Sequence, residues 1–469
     1  MFCIGALSAA SRGAGRRSLS RTPGDGSARP NRCRLSFAVL IAFLAVALLT
    51  VCGDSTSDVA AVPTPTPQPA VDLIAYVGED GNVYTVKGDG TLREQVTRLG
   101  SGPVASLAVA GLAQARPSSY YAWPAWSPDG ARLAVSRVIV EGSTLDGVDL
   151  RVIDLASGQD TVVFANNPLN VGYVAQRAPH YPYWSPGGER IGFLASGASG
   201  LTLYTASADG EGGAEEVVSG APLYFIWSPS GDGALLHVRD RLLTAEGSDA
   251  LDTSVLSVGG LAFRAPGLSH DGERMAYVGA TSSGGLALHT ATSDGVGASA
   301  LTEAEGLRAF LWSPTERHIA VSNDLLPGLA LYDGFSVLDT GSGDELLAVT
   351  DRTLSFVWSP DGSRLAYAAL DPSEEWLAWK VVSLDGSEPR ELVRFLPTQE
   401  MFIWLSYFDQ YSHSHGVWSP DGSHLVFAGR IPEPDGAVRP RDQVIVLDAD
   451  GFAEPRAIAE GTVAFWSWR

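Results

Sequence analysis

The chain has 469 residues, and its 53 acidic against 32 basic side chains leave a net charge of −21. An acidic surface repels phosphate backbones, so this balance excludes nucleic acid as a partner and suits a well-solvated domain. The three cysteines, Cys3, Cys33 and Cys52, all lie near the N-terminus, so no disulfide holds the rest of the chain, which must stabilise itself by burying apolar surface.

Residues 1–51 read as a targeting segment. Met1 to Arg34 carry seven Arg and a single acid, Asp25, and the uncharged apolar run Leu35 to Val51 follows. A basic region ahead of such a run is the pattern of an export signal, or of an uncleaved anchor at the short edge of what spans a bilayer. Residues 52–70 form a tether. Cys52, in Leu49-Thr-Val-Cys52-Gly-Asp, resembles the bacterial lipobox cysteine, although Val51 stands where that family usually has a smaller residue. The resemblance implies acylation of Cys52 and a lipid anchor in the membrane. Pro63-Thr-Pro-Thr-Pro-Gln-Pro69 then makes an extended, semi-rigid linker. The expectation is an extracytoplasmic protein held at a bacterial cell membrane.

Residues 71–469 repeat. Trp-Ser-Pro-Asp-Gly stands complete at Trp126–Gly130, Trp358–Gly362 and Trp418–Gly422, with degenerate copies starting at Trp184, Trp227, Leu268 and Trp312 and a half-copy at Phe465–Trp468. Successive copies lie 41 to 60 residues apart, a period that implies a propeller or a solenoid. Ser-Pro-Asp-Gly suits a type I turn, with Pro presetting φ and Gly closing it. A hydrophobic strand runs into each turn, another leaves it, and two more follow, which is the content of a four-stranded blade. The first strands, from Asp72-Leu-Ile-Ala-Tyr-Val, lack a preceding Trp strand, and Phe465–Trp468 lacks the strands that should follow. The two fragments complete one another, which predicts an all-β, eight-bladed propeller closed by N- and C-terminal strands in one blade, or seven blades if the weak unit at Ala234–Val258 is not a full one. This repeat resembles that of TolB-type propellers, a likeness that is specific for fold and not for function.

In such a blade the Ser-Pro-Asp-Gly and Asp-Gly turns share one face, and the longer connections, among them Gly100–Tyr120, Asn166–Tyr181 and Leu396–Gly416, share the other. Variable loops on a rigid scaffold carry function, so the long-loop face is the expected working face. Leu396–Gly416 holds Trp404, Tyr407 and Tyr411. These aromatics suit either a stacking platform for a sugar or peptide or a hydrophobic plug for the central channel, and His180, on an analogous entry strand several repeats away, is a further ligand-binding candidate. The same loop ends in Gln410-Tyr-Ser-His413-Ser-His415, and on an extended strand His413 and His415 would point the same way. That motif resembles the metal-binding blade of oligogalacturonate lyases, which implies Gln410, His413 and His415 as ligands of a divalent metal such as manganese.

Two readings therefore stand. One is a membrane-tethered binding or scaffold propeller, monomeric and without a cofactor, that engages an envelope protein, a peptide or a glycan. The other is a metal-dependent carbohydrate-active enzyme resembling oligogalacturonate lyase.

Overall fold

The computed structural model describes residues 72–99, 119–141, 144–165, 179–197, 200–247, 251–256, 264–304, 308–315, 317–323, 331–433 and 441–469. The targeting segment, Cys52 and the proline-rich tether lie outside them. No described helix is long and apolar enough to cross a membrane.

The described chain is a β-propeller. Five separate sheets each have four antiparallel strands taken in chain order, and a sixth sheet has ten. The segment expected to be weak is one of the five: Leu223–Trp227, Gly233–Val238, Arg241–Glu246 and Asp252–Val255 pair in sequence. Burial grades across each sheet. The first strand Thr353–Trp358 is buried along its whole length, whereas the fourth strand Glu345–Val349 of the sheet before it is mostly exposed. The core therefore runs through the first three strands, with the fourth at the exposed edge.

The turn motif works through local hydrogen bonds. At Ser359-Pro-Asp-Gly362 the Gly362 amide donates to the Ser359 carbonyl (2.9 Å). The Ser359 hydroxyl donates to Asp361 (2.6 Å) and also accepts the Arg364 amide (3.0 Å). Gly362 sits at φ +70°, a region that favours glycine. Ser127–Gly130 and Ser419–Gly422 repeat this arrangement.

The tryptophan of the motif has a second task. Its indole N–H reaches back to the carbonyl of the residue just before the preceding repeat's tryptophan. Trp184 donates to Ala125 (3.0 Å), Trp227 to Tyr183 (3.0 Å), Trp358 to Leu311 (3.1 Å) and Trp418 to Val357 (3.4 Å). Trp126 donates to Phe465 (3.1 Å), which joins the first complete repeat to the last strand. Leu268 has no such donor, and Trp312 Nε1, the next in line, is buried without a partner. Arginines that follow the turn add a clamp: Arg132 lies over the Trp184 ring and Arg364 over the Trp418 ring.

The long last strand Arg456–Trp466 serves two neighbours. Its first half pairs with Gln443–Asp448 and its second half with Leu73–Gly78, with Ile74 opposite Trp466 and Val77 opposite Val463. The Asp72 amide donates to the Arg469 carbonyl (2.7 Å), and Trp466 Nε1 donates to Asp72 (2.8 Å). The C-terminal strand thus supplies the N-terminal strands with the neighbour they lack.

Candidate functional site

The sequence offers no helix by its turns and repeats, yet two occur between Arg390–Pro397 and the next repeat: α1 (Gln399–Ser406) and α2 (Phe408–Tyr411). Thr398 caps α1, its hydroxyl accepting the Met401 amide at 3.1 Å. Met401, Trp404, Leu405 and Phe408 fall at helical spacing and are buried.

This insertion fills the centre. The Phe408 ring meets Phe356 edge-on at 4.6 Å. Tyr411 stacks on Trp123 at 4.9 Å and meets Tyr181 edge-on at 5.2 Å, and the Tyr181 hydroxyl donates to the Gln410 carbonyl (2.9 Å). His415 lies 4.6 Å from Phe465. Asp409, buried, pairs with Arg264 at 3.3 Å, and Arg264 also donates to the Tyr332 hydroxyl. Contacts thus run to the first strands of four different repeats and to two further segments. Burial pushes the Asp409 carboxyl above its ordinary value, with the Arg264 guanidinium opposing that shift.

The residues singled out in the sequence fall into place accordingly. Trp404 and Tyr411 are buried in the insertion, and Tyr407 is half exposed on its outer side. His180 is half-buried on the strand Pro179–Trp184, one residue before Tyr181. The backbone from Phe408 to Ser414 is helix and turn instead of extended strand, so His413 and His415 do not share a strand face. The packing of Phe408 and Tyr411 at helical spacing overrides the alternation of the two histidines.

The donor set does not fit a divalent ion. Among the described residues no three His, Cys, Asp or Glu side chains gather as metal donors. His415 Nδ1 bonds the Ser414 hydroxyl at 2.6 Å, and His415 Nε2 is buried without a partner among aromatic rings. A closed metal site needs about four ligands, and a catalytic one about three.

Burial depresses both imidazoles, His413 to about 4 and His415 to about 3. A folded pKa below the unfolded value of 6.5 means that the unfolded chain takes up the proton first. Stability from neutral His415 is therefore complete above pH 6.5 and is lost as pH falls towards 3. At ~1.4 kcal/mol per unit, the loss at pH 4.5 is about 2–3 kcal/mol. We expect the melting temperature to fall by several degrees between pH 7 and pH 4.5, and His415→Gln to flatten that slope. Equal slopes in the two proteins would contradict the assignment.

On the side of the Ser-Pro turns, the tip of the insertion leaves a recess of about 190 Å³ lined by Trp126, Pro128, Tyr183, Trp184, Pro186, His413, Ser414 and Trp468. The strands that wall it are distorted. Trp123 (φ +53°) and Tyr181 (φ +56°) both adopt left-handed backbone immediately before a proline, and the strand register shifts at each. Such strain costs about 1–3 kcal/mol per residue and persists only where the surroundings enforce it. The two Aromatic-Pro-x-Trp runs, Trp123–Trp126 and Tyr181–Trp184, are the sequence signal that could have marked this recess.

No protein-family model and no curated protein matches the chain. Solved structures do. A dihydro-heme d1 dehydrogenase, NirN, is 12% identical with a TM-score of 0.53, covering 87% of this chain and 78% of its own. TolB from Acinetobacter baumannii is 17% identical with a TM-score of 0.34, over 67% of this chain; the match spans 62% of the length of that TolB. Oligogalacturonate lyase from Vibrio parahaemolyticus is 11% identical with a TM-score of 0.44, covering 60% and 79% of the two chains. At these identities the likeness is one of fold alone, and the strand topology makes the chain a β-propeller.

Proposed function

We propose that the protein is an extracytoplasmic binding or scaffold propeller of eight blades, tethered to the cell membrane through Cys52 and the linker that follows, which engages an envelope protein, a peptide or a glycan. The observation that carries this reading is the central insertion. Trp404, Phe408, Tyr411, His415 and the Arg264–Asp409 pair are spent on contacts within the protein, which suits a rigid scaffold better than a site that admits a polymer for chemistry. The division of Arg456–Trp466 between two neighbours supports the count of eight.

Crosslinking in intact membranes tests the reading: a specific adduct of the full chain with an envelope component is expected, and recovery of the monomer alone would count against it. The enzyme reading has its own test. Manganese at about 1 mM is expected to leave the melting temperature unchanged, because only a ligand that binds the folded state raises it. A clear rise that disappears in His413→Ala/His415→Ala would restore the lyase-like alternative.

A further inference from the structure

The recess on the turn side is too small for most ligands. Pockets for drug-sized molecules hold about 300–1,000 Å³, whereas this one, at about 190 Å³, suits a single ring or side chain. Its walls are of the kind that dominate binding energy at protein interfaces, tryptophan and tyrosine around a desolvated hollow. Trp468 stands at its rim, 39% exposed, with its ring over Gly416. Two strained pre-proline residues hold the strands behind it.

Charge narrows the occupant. Asp129 and Glu189 are exposed on the turns that carry Pro128 and Pro186, and Asp72 is exposed beside the C-terminus. Hydrogen bonds from Ser127 and the Ala131 amide hold Asp129 ionised. Of the basic groups nearby, Arg132 is committed to the Trp184 ring and the Gly188 carbonyl, while Arg469 is exposed. With a net charge of −21 over the whole chain, complementarity favours a basic flank on whatever enters.

We propose that the recess bounded by Trp126, Tyr183, Trp184, His413 and Trp468 receives one apolar ring from a lysine- or arginine-flanked segment of a partner protein. The proposal rests on the binding reading above and names the partner's chemistry. The test is a fluorescence-anisotropy titration of the full chain in detergent with a labelled Lys-Lys-Trp-Lys-Lys peptide, set against Lys-Lys-Ala-Lys-Lys and Glu-Glu-Trp-Glu-Glu. The tryptophan-lysine peptide should bind about tenfold tighter than either control, and Trp468→Ala should abolish that margin. Because Trp468 is partly exposed, the variant should melt as the parent does. Glu189→Lys, a charge reversal at an exposed position of the turn that carries Pro186, supplies a second variant and should weaken the basic peptide several-fold at low salt.

Equal affinity for the tryptophan and alanine peptides, or a margin that survives Trp468→Ala, overturns the proposal. So does preferential displacement of the peptide by methyl glucoside, which would assign the recess to a sugar. A dimer in sedimentation that Trp468→Ala dissolves would assign it to a second copy. If the membrane crosslink persists in Trp468→Ala, the recess is wrong and the binding reading stands. If no crosslink forms in the parent protein, the binding reading itself fails.

Discussion

Deleting Phe465–Arg469 is expected to unfold the whole β region, not only its last strand. Phe465 and Trp466 are buried, and cutting a buried aromatic side chain to alanine costs about 3–5 kcal/mol. Two such losses approach or exceed the ~5–15 kcal/mol that a typical domain has in total. The deletion also strips the acceptor from Trp126 Nε1, the strand partners from Leu73, Ile74 and Ala75, and the partners from Asp72. The unpaired edge at Leu73–Ala75 would then be open to pairing with other chains. Circular dichroism and thermal melting of the truncated chain should show loss of the cooperative transition, with aggregation at lower temperature than the parent. Phe465→Ala alone should lower stability by about 3–5 kcal/mol, whereas Trp468→Ala, at the exposed rim, should leave it nearly unchanged. A truncated chain that melts at the parent temperature would show that the terminal strand does not close the fold.

That closure was legible in the sequence because both of its halves announce themselves as incomplete: strands without a leading tryptophan at Asp72, and a tryptophan without following strands at Trp466. The turns were legible for a similar reason. The hydrogen bonds that define Ser359-Pro-Asp-Gly362 all fall within six residues, so the residue types needed are adjacent in the chain. The job of the motif tryptophans was not legible. Five of them, Trp126, Trp184, Trp227, Trp358 and Trp418, donate to a backbone carbonyl of the neighbouring repeat, and a carbonyl carries no residue identity to read.

The central insertion shows both outcomes. Met401, Trp404, Leu405 and Phe408 stand at helical spacing behind a Thr cap, a signal present in the sequence and outweighed there by the surrounding strand repeats and by the alternating His413 and His415. Its filling of the centre was foreseen as one of two uses for the aromatics. Its charged anchor was not, because Arg264 and Asp409 are 145 residues apart and neither belongs to a motif. The strained Trp123 and Tyr181 were missed differently. A residue before proline is expected in extended backbone, and the left-handed one is held by aromatic packing, against Tyr411 in both cases, that is distant in the chain.

The Arg264–Asp409 pair sets the second large expectation. Asp409→Ala leaves the Arg264 guanidinium, mostly buried, without its carboxylate, and breaking a buried pair from one side costs about 3–5 kcal/mol. Asp409→Asn should cost much less. Burial already raises the Asp409 carboxyl above its ordinary value despite the guanidinium beside it, so the charge is held against its solvation preference, and an amide keeps both the shape and an acceptor. Removing both charges together, in Arg264→Met/Asp409→Leu, should recover most of the loss, since a well-packed apolar replacement of a buried pair is often neutral. Urea unfolding followed by tryptophan fluorescence gives these stabilities, and with the single variants Arg264→Met and Asp409→Leu beside the double it gives the coupling. A coupling within about 0.5 kcal/mol of zero would mean that the two groups act independently and that the pair does not anchor the insertion. Hydrogen exchange locates the effect. In Asp409→Ala, protection should fall first across α1 and α2 while the first strands, such as Thr353–Trp358, stay protected, because the insertion can open locally before the sheets do. Simultaneous loss in both would instead make the insertion part of one cooperative unit with the propeller core, and its anchor a determinant of the whole fold.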